Sequence, residues 1–134
     1  MFAVSRAARR LERLGAQALA ADDLSFMEGL TLAALFFEAP QPVKPSHLAE
    51  TFGTTRGNIS HCISSLEAQG HLQRKIDPED ARAYQLALKP QGKRCALRVI
   101  AALDRLQKEF EAEMGKTALK EMLAALRRLE ERAS

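Results

Sequence analysis

Apolar and polar positions alternate most tellingly between residues 54 and 70 (TTRGNISHCISSLEAQG). There Ile59, Ile63 and Leu66 recur at helical spacing with Cys62 at their margin, and Gly57, Ser60, His61 and Ser64 fall on the opposite side. The second face carries no acidic residue until Glu67. A helix that needed only to be soluble would expose Glu and Lys there. Short donors and acceptors with little bulk suit close approach to another surface.

The rest of the chain arranges itself around this stretch. Residues 3–20 predict an alanine-rich helix with Ala7, Leu11, Leu14 and Ala18 along one side. Arg6, Arg9, Arg10 and Arg13 take most of the remainder, either as a solvated face or close to a phosphate backbone or a partner subunit. Ser25 and Glu28 have capping-box spacing, and the run 26–37 (FMEGLTLAALFF) is so apolar that its helix is expected to be buried on most sides and to form the hub of the core. Pro40, Pro42 and Pro45 end it and fill the loop beyond. A short extra strand fits before the next helix, residues 46–52 (SHLAETF), which Gly53 breaks. Thr54 and Thr55 are candidate N-caps of the helix after it, and Gly70 closes that helix. Two short helices joined by a glycine-containing turn predict a helix-turn-helix.

Downstream, residues 71–76 (HLQRKI) and 83–88 (AYQLAL) show the two-residue period of strands around the charged tip DPEDAR, which predicts a hairpin of the kind called a wing. Arg74 and Lys75 stand at its base and Arg82 on its returning arm, with Asp77 or Asp80 placed to pair with Arg82 and hold its side chain. A long helix is expected over 90–114, with Leu97, Ile100, Leu103, Leu106, Phe110 and Met114 on one stripe. A last one follows over 117–132, with Leu119, Met122, Leu123, Leu126 and Leu129. Stripes of this length usually bury themselves against something.

Composition narrows the function. A chain of 134 residues makes a single domain with a real core. Aromatics are 5% with no Trp, which argues against stacking on single-stranded nucleic acid, and a net charge of +3 permits duplex binding without requiring it. The first fifteen residues lack a sustained apolar run, and no apolar stretch approaches the roughly 20 residues of a membrane span, so neither signal peptide nor membrane partner is expected. Cys62 and Cys95 lie in apolar helical patterns without redox or zinc spacing, which points to core thiols kept reduced in a cytoplasmic protein. His47, His61 and His71 are scattered, so no metal site is expected. No catalytic constellation or phosphate-binding loop is present, so neither catalysis nor a cofactor is expected.

The order of elements, and above all the segments SHLAETFGTTRGNISHCISSLEAQGHLQRK and DPEDARAYQLALKPQG, resemble the MarR-type winged helix-turn-helix transcriptional regulators over nearly the whole chain. The matching pieces are Leu48-Ala49, Leu66-Glu67-Ala68-Gln69-Gly70, Arg74, Asp80-Ala81-Arg82, and Leu88-Lys89-Pro90-Gln91-Gly92 in place of Leu-Thr-x-x-Gly. The resemblance implies a mainly α fold in the order α-α-α-α-β-β-α-α, with a winged helix-turn-helix lobe over 24–89 and dimerisation helices over 3–20 and 90–132. It implies a homodimer that binds double-stranded DNA at a pseudo-palindromic operator, acting as a repressor. Thr54, Thr55, Arg56, Asn58, Ser60, His61, Ser64, Arg74, Lys75 and Arg82 are then the DNA-binding set: Asn58, Ser60 and His61 at base edges, Thr54, Arg56 and Arg74 at phosphates, and Arg82 in the minor groove. Half-sites are expected about one DNA turn apart, roughly 34 Å. A small apolar or phenolic effector is also implied, in a crevice between the dimer helices and the lobe that Leu14, Phe36, Phe37 and the start of the long helix would line; the residues themselves leave the ligand site undefined.

Three departures bear on affinity and stability. Ala81 stands where a second basic wing residue is common, and His61 where an arginine is common. Lys89 replaces a capping Thr, losing about 1 kcal/mol unless another group compensates. Six basic residues face five acidic ones between 40 and 89, so a modest salt dependence is expected, with Asp77 and Glu79 turned away or paired. The same weak charge leaves an alternative: a winged helix that binds another protein and not DNA.

Overall fold

The computed structural model describes residues 1–133, and its elements follow the expected order. They are α1 (Phe2–Ala18), a 3-10 turn (Ala20–Asp22), α2 (Phe26–Glu38), α3 (Pro45–Thr51), α4 (Arg56–Ala68), β1 (Leu72–Ile76), β2 (Tyr84–Leu88), α5 (Pro90–Met114) and α6 (Lys116–Ala133). Pro45 opens α3 and does not belong to the loop before it; its missing N–H is no loss in a first turn. The strands pair antiparallel with Leu72 opposite Leu88 and Ile76 opposite Tyr84. The extra strand reduces to a single bridge, in which Leu86 N–H donates to the Val43 carbonyl at 2.9 Å.

Local chemistry explains the boundaries. Ser25 Oγ accepts the Glu28 N–H at 3.1 Å while Glu28 Oε2 accepts the Ser25 N–H at 2.9 Å, the reciprocal capping box. Both α3 and α4 end the same way. Gly53 and Gly70 adopt φ of +59° and +80°, and in each case the glycine and the residue after it donate back to carbonyls of the last turn. These Schellman turns reverse the chain tightly enough to seat α4 and to launch the wing. Lys89 leaves the N-terminus of α5 without a side-chain cap, and Pro90 at the first helical position limits that loss by removing one orphan donor.

The core gathers under α4. Leu32, Ile59, Ile63, Leu66, Leu72 and Val99 are completely buried, with Leu48 and Leu86 at 1% exposure. Helix α2 is the hub, packing on α1, α4, α5 and β2. It is less enclosed than its composition suggested, because Phe37 projects with 69% exposure. Helix α5 departs further from expectation. The face it buries is Cys95, Ala96, Val99 and Ala102, small side chains that bring it close to α2, while Leu97 of the expected stripe is 54% exposed. Ile100 and Leu103 only border the core. Cys62 and Cys95 are both buried thiols, with Cys62 Sγ 3.4 Å from Thr31 Oγ1. In α1 only Gly15 is buried and in α6 only Leu119, so the apolar stripes of both terminal helices lie open on the single chain.

Of the three imidazoles, His71 is the buried one. Its N–H closes the turn after α4 on the Leu66 carbonyl, its carbonyl accepts the Lys89 N–H, and its Nδ1 has no partner among the described residues. Burial first, and then the Arg98 guanidinium, lower its pKa against the opposing pull of Asp22 and Glu28. A lowered folded-state value means that the unfolded chain takes up the proton first. Stability is therefore full above the unfolded value and falls progressively as pH drops below about 6.5. His71→Leu should flatten that dependence, so that urea midpoints measured between about pH 7 and pH 5 stay level in the variant and decline in the parent.

Candidate nucleic-acid interface

Burial of Ile59, Ile63 and Leu66 turns the other side of α4 to solvent, where Arg56, Asn58, Ser60, His61 and Ser64 are all exposed. Thr55 caps the helix, its Oγ1 accepting the Asn58 N–H at 3.1 Å, and Asn58 Nδ2 donates to Thr54 Oγ1 at 3.0 Å. The first turn is thereby fixed, with Arg56 at its head.

The wing meets this helix across a cleft of about 290 Å³ lined by Lys44, Pro45, Ser46, Arg56, Ser60, Arg82, Ala83 and Tyr84. Three of the expected residues, Arg56, Ser60 and Arg82, thus converge from two elements far apart in sequence. Neither arginine forms an ion pair among the described residues, which leaves both guanidinium groups free for an anionic partner.

The acids fall differently from expectation. Neither Asp77 nor Asp80 holds the Arg82 side chain. Asp80 Oδ1 instead accepts the Arg82 backbone N–H at 2.9 Å and shapes the tip. Asp77, 2% exposed, accepts the Glu79 N–H at 2.9 Å through Oδ1 and pairs through Oδ2 with Lys44 Nζ at 2.9 Å. The Glu79 N–H and then Lys44 hold the Asp77 carboxyl below its ordinary value, and the same pair raises Lys44. Asp77 is thus neutralised within the chain.

Two of the expected residues are placed otherwise. Lys75 alternates to the far face of the hairpin from Arg74 and lines a separate cavity of about 420 Å³ with Gln73, Gln85, Lys93 and the loop Ala39–Pro42. Arg74 is engaged inside the chain: Nη2 donates to Ser64 Oγ at 2.8 Å and Nε lies 3.0 Å from Glu67 Oε2. Lys44 and Tyr84 are among the five cleft residues that sequence reasoning missed. Lys44 lies 33 positions before its partner, and no periodic signal links them.

Among the described residues, no cavity brings Leu14 together with Phe36 and Phe37. Leu14 lines a shallow depression with Arg10, Arg13 and Gln17, while Phe36 and Phe37 stack edge-on with ring centroids 6.1 Å apart, Phe37 in the open. Among the described residues no group of three His, Cys, Asp or Glu is arranged to hold a metal ion, and no helix is long and apolar enough to cross a membrane.

Comparison with known proteins bears on the fold. Residues 22–83 match the family model of the MarR family, a span that runs from the end of the 3-10 turn to the residue before β2. No curated protein matches the chain in sequence. Among solved structures, MepR of S. aureus in a DNA complex superposes with a TM-score of 0.91 at 16% identity, over 99% of this chain and 96% of that one. BldR of Sulfolobus solfataricus, a transcriptional regulator, gives 0.84 at 22% identity over 98% and 92%. MosR of M. tuberculosis in complex with DNA gives 0.80 at 22% identity over 98% and 96%. At such identities the likeness establishes the winged-helix fold.

The cap offers a direct check on how α4 is held. Thr55→Ala should lower the free energy of unfolding by about 1 kcal/mol in urea titrations, because the Asn58 N–H loses its acceptor.

Proposed function

We propose that this chain, winged-helix in fold and MarR-family over residues 22–83, is a dimeric, sequence-specific DNA-binding repressor of the cytoplasm and not an enzyme. The observation that carries the reading is the cleft in which Arg56 and Ser60 of α4 meet Arg82 of the wing, with neither arginine in an ion pair among the described residues. In this reading α4 enters the major groove with Asn58, Ser60 and His61 at base edges, Arg56 meets a phosphate, and Arg82 reaches the adjacent minor groove. MepR and MosR, whose folds this chain shares, were solved with DNA, which supports the assignment.

Dimerisation is part of the proposal. Leu11, Leu14, Met122, Leu123, Leu126 and Leu129 are between 39% and 53% exposed on the terminal helices, an apolar surface that a second copy would cover. A two-fold arrangement would set two copies of α4 on half-sites about one turn apart, roughly 34 Å. The effector reading moves with the structure. A small apolar acid would fit the cavity of about 420 Å³ better than the expected crevice, since Leu35, Leu86 and Leu88 line it beside Lys75 and Lys93. Its signature would be dissociation of the DNA complex when such an acid is added.

The alternative of a protein-binding module rests only on the near-neutral charge of the lobe. The pairing of Asp77 with Lys44 and of Glu67 with Arg74 weakens it, because it leaves Arg56 and Arg82 as the unpaired charges of the cleft among the described residues.

Duplexes selected from a randomised library should give a mobility shift with the wild-type chain. Arg56→Ala is expected to weaken binding across sequences and to reduce the salt slope by about 0.9 for each phosphate no longer neutralised. Arg82→Ala should weaken it by roughly 1–3 kcal/mol. If both variants bind as the parent does, the residue assignments are wrong. Leu126→Glu should yield monomers by light scattering together with loss of the shift; a dimer that persists in this variant would remove the terminal helices from the interface.

A further inference from the structure

Arg74 sits at the middle of β1, opposite Leu86, and its guanidinium touches three partners at once. Nη2 donates to Ser64 Oγ at 2.8 Å, Nε is 3.0 Å from Glu67 Oε2, and Cζ stands 4.9 Å from the centroid of the Tyr84 ring. Ser64 and Glu67 occupy successive turns of one face of α4, and Tyr84 is the first residue of β2. One side chain therefore ties the recognition helix to both strands of the wing.

We propose that Arg74 is a positioning residue, a clamp that fixes the wing against α4 and thereby aims Arg82, and that it does not contact phosphate. The proposal rests on the DNA-binding reading and deepens it. A single surface ion pair would hold an orientation weakly, since both side chains keep their rotational freedom and solvent screens the charge. Here the planar fork is held in its plane by a hydroxyl and a carboxylate, and the aromatic ring covers one of its faces, a combination a lysine cannot reproduce. The Ser64 hydroxyl gives up an acceptor position to the same arrangement, which leaves its O–H as the group it can offer outward. The Lys44–Asp77 pair, with the Asp77 side chain 1% exposed, ties the start of the wing's tip to the entrance of α3. Two ionic ties, one to each helix of the helix-turn-helix, leave Arg56 and Arg82 as the free cations of the cleft among the described residues.

The chain contains one tyrosine and no tryptophan, so tyrosine emission reports the surroundings of Tyr84, the Arg74 guanidinium among them. The test combines that signal with affinity and salt slope for duplexes selected by the wild-type chain from a randomised library, in Arg74→Lys, Glu67→Ala and Arg82→Ala. A phosphate-binding position tolerates lysine, and a repelling acid beside DNA is better removed. The clamp predicts the reverse: Arg74→Lys and Glu67→Ala each weaken binding by about tenfold with the slope unchanged, while the slope of Arg82→Ala falls. Both clamp variants should also change the Tyr84 emission without DNA, at urea concentrations where the helices remain folded. Wild-type affinity in Arg74→Lys, or tighter binding by Glu67→Ala, overturns the positioning role. An unaltered Tyr84 signal in both variants overturns the clamp itself. A wild-type chain that selects no duplex overturns the DNA-binding reading, and the role of Arg74 with it, whatever the tyrosine reports.

Discussion

The burial of one apolar stripe, Ile59, Ile63 and Leu66, governs the geometry of the candidate interface. All three are fully buried in the cluster that also holds Leu32, Leu48, Leu72 and Leu86. Each such side chain contributes about 1.5–3 kcal/mol when removed from water. Rotating α4 by even one residue would expose part of that set and bury Ser60 or His61 in its place, so the polar face has a single orientation. The same cluster takes Leu72 from β1 and Leu86 from β2, which seats the wing on the core that orients the helix. Helix α4 and the wing therefore share one foundation.

Electrostatics then select which charges are offered outward. Between residues 40 and 89 the chain is almost neutral by count. The fold distributes that balance unevenly, because Asp77 lies against Lys44, Glu67 lies against Arg74, and Asp80 takes a backbone N–H. Opposite charges cancel where they brace the structure. The arginines at the cleft stand outside every ion pair among the described residues, so positive charge is concentrated there beyond what the sum over the lobe suggests.

Much of the fold was legible from short-range chemistry. The capping box at Ser25, the glycines at 53 and 70, the alternation of the wing strands and the stripe on α4 are each set by interactions within a few residues, and each appears where expected. The long helix was harder. Two apolar stripes run along α5, and sequence reasoning favoured the bulkier, Leu97 through Met114. The core took Cys95, Ala96, Val99 and Ala102, because close packing against α2 needs small side chains as much as apolar ones.

The partners of the charged residues lay beyond the reach of pattern. Arg74 and Arg82 were both visible as wing arginines, and nothing in their spacing separates the one that is braced from the one that is free. That difference arises because Ser64, Glu67 and Tyr84 come from separate elements to surround the first, while the second stands at a cleft with no acid in its lining. By itself the sequence determined the helix-turn-helix, the wing and the polar face of residues 54–70, since helical period, strand alternation and turn chemistry are local. Only the tertiary structure decided which charges cancel, which stripe of α5 faces inward and where Arg56 meets Arg82, since each of these depends on contacts between residues remote in the chain.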